Sequence, residues 1–204
     1  MSGLTRPASG WGSYLAEVAA ELGRPLEGAT VAALSIWLDA LVEWNAKIDL
    51  TAAKDPKALV WLMLADAMAL EPQLAKGARV VDVGTGAGAP GLALALLRPD
   101  LRVTLAEPLG KRASFLRTVI GLLARTDVTL LPKRGELLEK AAFDVAISRA
   151  TLAPEEWLAL GRTLVVPNGD VWLFLAEVEA PPGQASEVAW TEPPGKKRRL
   201  VRYA

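Results

Sequence analysis

Apolar and polar residues follow two different rhythms along this chain. From the start to about residue 76, apolar positions recur every three or four residues, and no stretch alternates residue by residue. Val31, Leu34, Leu38 and Leu41 fall on one face of a helix that Thr30 can cap, and Ser13 can cap an earlier helix ending at Gly23. Asp55-Pro56 makes a good N-cap and first-turn pair for a third helix running towards Leu70. From Arg79 the rhythm changes. Short apolar runs (RVVDVG, LRVTLAE, VTLLP, FDVAIS, DVWLFLA) alternate with helical stretches at Pro90 to Leu97, GKRASFLRTVIGLL, and Pro154 to Gly161. Strand, crossover helix, strand at this spacing predicts parallel βαβ units with right-handed crossovers. The tail, SEVAW and RRLVRYA around PPGKK, predicts an antiparallel hairpin. The expected organisation is an N-terminal helical extension over 1–78 followed by an α/β core over 79–204, the two forming one unit.

Composition narrows the chemistry. The 204 residues carry 23 basic and 23 acidic side chains, and 51% of them are hydrophobic, so a packed core is expected and disorder is not. With no cysteine and no histidine, disulfides, thiolate nucleophiles, cysteine- or histidine-held zinc and a Ser-His-Asp arrangement are excluded, and no metal site is expected. MSGLTRPASGWG lacks the basic start and apolar centre of a secretion signal, and ALVWLMLADAMAL is broken by Asp66 and too short to cross a bilayer. The expectation is a cytoplasmic, monomeric protein without membrane contact.

Candidate chemistry concentrates in VVDVGTGAGAPG, Val80 to Gly91, where Gly84, Gly86, Gly88 and Gly91 lie between a strand and a helix. Unpaired N–H groups at a helix N-terminus, reached closely past glycine, suit a nucleotide-like ligand. Asp82 narrows the choice. Placed at the end of the first strand, its carboxylate would repel a pyrophosphate but attract the amino group and sulfonium centre of S-adenosylmethionine, directly or through water. The alternative role is a capping or turn-forming aspartate. Glu107 ends the second strand, where a carboxylate can take both hydroxyls of a ribose belonging to either S-adenosylmethionine or NAD. An NAD-dependent oxidoreductase stays open only if Asp82 points away from the ligand. The S-adenosylmethionine reading carries a fold with it: a Rossmann-like class I methyltransferase, with a seven-stranded, mostly parallel, doubly wound sheet and the cofactor at the carboxyl ends of its strands.

The absent cysteine also excludes covalent attack on a pyrimidine ring. A ring nitrogen with an in-plane lone pair needs no deprotonation, so alignment would supply most of the catalysis and a missing histidine base is no obstacle.

VVDVGTGAGAPG, VTLAEPLGKRASFLR and FDVAISRA, preceded by EWNAKIDLTAAKDP, resemble the RsmG (GidB) family of bacterial 16S ribosomal RNA guanine methyltransferases, which make 7-methylguanosine. The similarity runs from about Trp37 to Gly169. Its most specific pieces are W-N-x-x-x-x-L-T at Trp44 to Thr51, the G-T-G-x-G-x-P-G turn, and L-G-K-R-x-x-F-L-R at Leu109 to Arg117. The resemblance implies S-adenosyl-L-methionine as cofactor and ribosomal RNA or the small ribosomal subunit as partner. It implies cofactor contacts at Gly84, Gly86, Gly88 and Ala89, at Glu107 where the family has aspartate, and at Gly135 and Glu136 by the adenine. Arg149, in the S-R-A motif, would sit at the rim between cofactor and RNA as the catalytic-site arginine, and Lys111 and Arg112 match a basic pair expected to meet substrate.

The chain departs from that pattern on the side that would face RNA. Leu62 and Met63 stand where the family usually has an arginine-histidine pair, Ala67 where it has serine, and Leu175 and Ala176 where it has lysine-glycine. Residues 1–78 carry six basic and nine acidic side chains, a net of −3. A degenerate homologue that keeps the cofactor pocket but has lost the reaction on rRNA, or acts on another substrate, is the rival reading. The basic tail, Lys196 to Arg199 with Arg202, is either a phosphate contact or a solubilising end, and Trp37, Trp44 and Trp61 are expected in the core.

Overall fold

A computed structural model describes residues 4–149 and 151–204. Residues 1–3, at the start of MSGLTRPASGWG, and Ala150, the last residue of the S-R-A motif, lie outside the described residues.

Three helices come first: α1 (Gly12–Glu21), α2 (Gly28–Asn45) and α3 (Pro56–Leu70). The Asp55 side chain caps α3, accepting the Ala58 N–H at 2.9 Å, with Pro56 in the first turn. The other two helices begin earlier than their candidate caps. Trp11 precedes α1 and Glu27 precedes α2, and neither side chain caps. Tertiary packing decides the start of α1: Trp11 is buried and its indole N–H donates to Asp39 at 2.7 Å. A serine or threonine cap contributes only about 1 kcal/mol, less than burial of such a ring.

The alternating half gives β1 (Arg79–Val83), α4 (Gly91–Leu97), β2 (Arg102–Ala106), α5 (Gly110–Leu122), β3 (Thr129–Leu131), β4 (Phe143–Ser148), α6 (Pro154–Leu164), β5 (Val165–Leu175), β6 (Ser186–Glu192) and β7 (Lys196–Tyr203). They form one seven-stranded sheet in the order β3-β2-β1-β4-β5-β7-β6. β1 to β5 pair in parallel, and β7 runs antiparallel between β5 and β6. This is the class I methyltransferase fold: a doubly wound sheet whose strand order reverses between β1 and β4. β5 starts five residues upstream of the apolar run DVWLFLA, because Asn168 in left-handed backbone and Gly169 let the strand bulge and continue.

Period-2 alternation sends side chains to two different cores. Val80, Val145, Ile147, Trp172 and Leu200 join the larger core, with residues of α1 to α5. Val81, Val83, Ala146, Val171, Leu173 and Val201 join a smaller one under α6. The larger core runs unbroken across the expected boundary at residue 78, so the helical extension and the sheet share it. At roughly 25 cal/mol per Å², each fully buried leucine or tryptophan on α2 and α3 stabilises this union by about 2 kcal/mol or more. No helix among the described residues is long and apolar enough to cross a membrane.

Candidate active site

The site forms at the carboxyl ends of β1, β2 and β4, next to the point where the strand order reverses, the usual crevice of such sheets. After β1 the backbone turns through Gly84 to Pro90 into α4. The Gly84 N–H donates to the Ala106 carbonyl at 2.8 Å, which fixes the turn to the end of β2. Gly88 has a φ of +102°, and a Cβ there would lie 3.1 to 3.2 Å from Leu92, Leu116 and Trp37. Trp37 is fully buried and donates its indole N–H to the Ala87 carbonyl at 3.0 Å. The helical extension thus holds the glycine turn from behind.

Glu107, at the end of β2, clamps the turn from the other side. Its Oε2 accepts the Gly86 N–H at 2.9 Å and its Oε1 accepts the Leu109 N–H at 2.8 Å. Each oxygen keeps a second lone pair, so hydroxyls of a bound nucleoside can still donate to it. Above these residues opens a cleft of about 540 Å³, within the range of small-molecule sites, about 300–1,000 Å³. Of the residues singled out in the sequence, Gly84, Gly86, Ala89, Glu107, Arg112 and Arg149 line it.

Arg149, just past the end of β4, closes the cleft towards α3. Its Nη1 donates to the Leu62 carbonyl at 2.7 Å and to Asp66 Oδ2 at 3.0 Å. Asp66 is buried beside it. Leu62 and Met63 also line the cleft, so the apolar residues that set this chain apart form part of its wall.

The remaining residues stand elsewhere. Gly88 is buried behind the turn. Gly135 is buried beyond the end of β3, where a Cβ would lie 2.8 Å from Val83, and Glu136 beside it is exposed. Lys111 lies outside the cleft, in a neighbouring cavity with Lys47 and Arg112.

The direct role expected of Asp82 is corrected by the structure. Its side chain is fully buried and does not line the cleft. In β1 it has the parity of Val80, so it points under α4, where its Oδ2 accepts the Gly91 N–H at 2.8 Å. Burial pushes its carboxyl up to about 6, opposed by the Thr85 hydroxyl, the Gly91 N–H and the charge of Arg149. The Thr85 hydroxyl acts from nearby without full hydrogen-bond geometry: neither it nor Asp82 Oδ1 has a well-formed partner. The capping role considered for Asp82 is the one its geometry fits. Its charge therefore does not choose between a sulfonium ligand and a pyrophosphate, and that choice rests on kinship.

Kinship is clear. Residues 30–188 match the family model GidB, rRNA small subunit methyltransferase G. The chain belongs to this family. It is 40% identical over 147 residues to ribosomal RNA small subunit methyltransferase G of Xanthomonas axonopodis pv. citri, covering 72% of this chain and 69% of that one. The corresponding protein of Burkholderia ambifaria is 36% identical over 139 residues, 65% of this chain and 61% of its own. Among solved structures, Pyrococcus horikoshii TYW2 in complex with MeSAdo superposes with a TM-score of 0.56 at 14% identity, covering 77% of this chain and 64% of that one. A SAM-dependent methyltransferase from Aquifex aeolicus gives 0.54 at 15% identity, covering 70% and 91%. These two establish the fold.

As a member of the GidB family the chain is a methyltransferase that uses S-adenosylmethionine. The cleft suits that cofactor on its own terms: a glycine turn held open from two sides, an acid at the end of β2 with spare lone pairs, and room for a nucleoside. Among the described residues no group of acids is placed to hold a metal ion.

Three further residues shape the site from outside the cleft lining. Trp37 reads as core in the sequence, and it is core, but its indole also holds the turn. Asp66 holds Arg149. Gly91 must be glycine because Asp82 lies under it: a Cβ there would come within 2.7 Å of the Asp82 Cβ and 2.6 Å of Leu105. The alternation of β1, Val80 towards the larger core and Val81 towards the smaller, is the clue to Asp82 and therefore to Gly91.

Proposed function

We propose that this protein methylates N7 of a guanine in 16S ribosomal RNA. The resemblance to the family names N7, and one observation supports a ring nitrogen with a free lone pair. Glu107 is the only carboxylate lining the cleft among the described residues, and both of its oxygens are engaged by backbone N–H groups. A nucleophile that must lose a proton would find no free base there. Guanine N7 brings an in-plane lone pair and needs none, so positioning supplies the catalysis.

When bound, S-adenosylmethionine supplies an activated methyl group. Glu107 holds the ribose hydroxyls, and the turn from Gly84 to Ala89 supports the amino-acid end, with Gly88 and Asp82 acting from behind it. Gly135 and Glu136 bound the adenine end, since Gly135 packs on Val83 at the end of β1. Arg149, fixed by Asp66 and the Leu62 carbonyl, steadies the RNA against the cleft. Arg112 on the cleft wall and Lys111 outside it attract RNA phosphates. Leu62 and Met63 favour a second reading, in which this member binds the cofactor but transfers its methyl group elsewhere, because they leave the α3 wall without charge.

Small ribosomal subunits lacking this modification, incubated with the protein and tritiated cofactor, test the proposal. Nucleoside digestion is expected to return the label as 7-methylguanosine. Label on another nucleoside would overturn the choice of atom, and no label from cofactor-saturated protein would leave the second reading.

A further inference from the structure

The cleft does not end at Arg149. Arg149 and Thr151 are shared with a second cavity of about 230 Å³ above the carboxyl ends of β4 and β5, across the strand-order reversal from the glycine turn. It is smaller than a site for a drug-sized molecule, which starts at about 300 Å³, and holds one base-sized group. Its walls are largely apolar: Leu152, Pro154, Trp157, Leu175 and Val178 among them.

Two further observations say what such a slot takes. Leu152 and Val178 are 36% and 56% exposed on its rim, so the apolar lining of the cavity continues to the solvent-facing edge of the cleft. Beyond them the cavity is bounded by Arg198, which also lines a third cavity with Lys197, Arg199 and Trp190 on the β6–β7 hairpin. Arg198 is held in place by Glu192, which accepts its Nε–H at 2.9 Å. Lys196 and Lys197 beside it are exposed. An apolar slot next to the methyl-transfer cleft, with cations at its outer mouth, matches a nucleobase and its phosphate. Enzymes that act on a base take it out of the stack and hold it between apolar side chains.

We propose that the cavity between Arg149 and Arg198 receives the extruded base of the RNA acceptor, and that Arg198 holds the phosphate of that nucleotide. This rests on the reading of the protein as an RNA methyltransferase. The tail residue Arg198 becomes a substrate-positioning residue, and the C-terminal hairpin becomes the outer wall of the acceptor site.

Two variants test this away from the cofactor-binding residues: Arg198→Ala at the mouth and Leu152→Asp at the exposed rim. Methyl transfer to unmodified small subunits is measured alongside calorimetry with S-adenosylmethionine. Both variants are expected to lower kcat/KM by about tenfold or more, a difference of about 1.4 kcal/mol in transition-state binding, with cofactor Kd unchanged. Arg198→Ala should act mainly through KM and flatten the dependence on salt, and Arg198→Lys should recover part of the loss. Wild-type kcat/KM in both variants would overturn the slot. If the wild type transfers no methyl group to rRNA, that defeats the proposed function, and filter retention of 16S rRNA then judges the slot. Weaker retention by both variants supports it, and equal retention overturns it.

Discussion

The Asp82 carboxylate accepts the Gly91 N–H at 2.8 Å from beneath the first turn of α4, wholly out of contact with solvent. A charge in that position is poorly solvated, and the Thr85 hydroxyl, one backbone N–H and the charge of Arg149 offset only part of the loss. Its carboxyl ionises near 6 in the folded chain and at the ordinary 3.8 when unfolded. Between those values the folded state binds more protons, so stability falls as pH rises from about 4 to about 6. The full penalty, about 3 kcal/mol, persists above that window. Asp82→Asn keeps an oxygen for Gly91 and removes the charge. Urea unfolding across pH 4 to pH 7 should show the wild type losing stability relative to the variant through that window, with cofactor affinity retained.

Gly91 reports on the same contact from the other side. Gly91→Ala forces a methyl group against the Asp82 Cβ and Leu105, both fixed in the sheet, and should destabilise by about 1–3 kcal/mol. Gly121, inside α5, gives the contrast, because a Cβ there would meet nothing within 4 Å. Gly121→Ala, in the last turn of α5, should stabilise by less than the interior value of about 0.5–1 kcal/mol, through helix propensity alone. Thermal unfolding of the two variants under one set of conditions checks both signs.

Trp37→Phe preserves most of the ring volume and removes the donor to the Ala87 carbonyl. A buried acceptor left without a partner costs about 1–3 kcal/mol. Because that acceptor belongs to the glycine turn, the loss should also appear in cofactor Kd, measured by calorimetry. Loss of stability with no change in Kd would assign Trp37 to packing alone.

Arg149 and Asp66 form one unit, at 3.0 Å with side-chain exposures of 22% and 10%. Hydrogen bonds to charged groups contribute about 1.5–3 kcal/mol, so Asp66→Asn and Arg149→Met should each destabilise. The double variant should cost less than the two singles together. A double-mutant cycle by urea unfolding measures that coupling. Asp66→Asn, which does not line the cleft, should also slow methyl transfer by loosening Arg149, which then relies mainly on the Leu62 carbonyl.

Long periodic elements were legible in the sequence, and tertiary pairings were not. The change of rhythm at Arg79 separated the helical half from the parallel units and the C-terminal hairpin. Asp55-Pro56 announced α3 because a side-chain cap and a fixed φ act locally, whereas α1 begins at a buried tryptophan whose partner, Asp39, lies on another helix. The cleft residues Gly84, Gly86 and Glu107 follow a turn pattern and a strand end that spacing exposes, whereas Arg149 is reached only through the family resemblance. Asp82 departs from its sequence reading for a physical reason: its charge suggests a ligand, but the pleat of β1 turns it under α4. Trp37 reaches the turn across 50 residues of chain, a distance that no local pattern encodes.

β7 is last in sequence yet interior in space, hydrogen-bonded to β5 on one side and β6 on the other. Without it, β5 presents a raw flank and β6 has nothing to join. Deleting or tagging through Lys196–Tyr203 would therefore remove two strands at once and invite foreign chains to pair with the open flank. Quality control of this sheet falls on its final eight-residue strand.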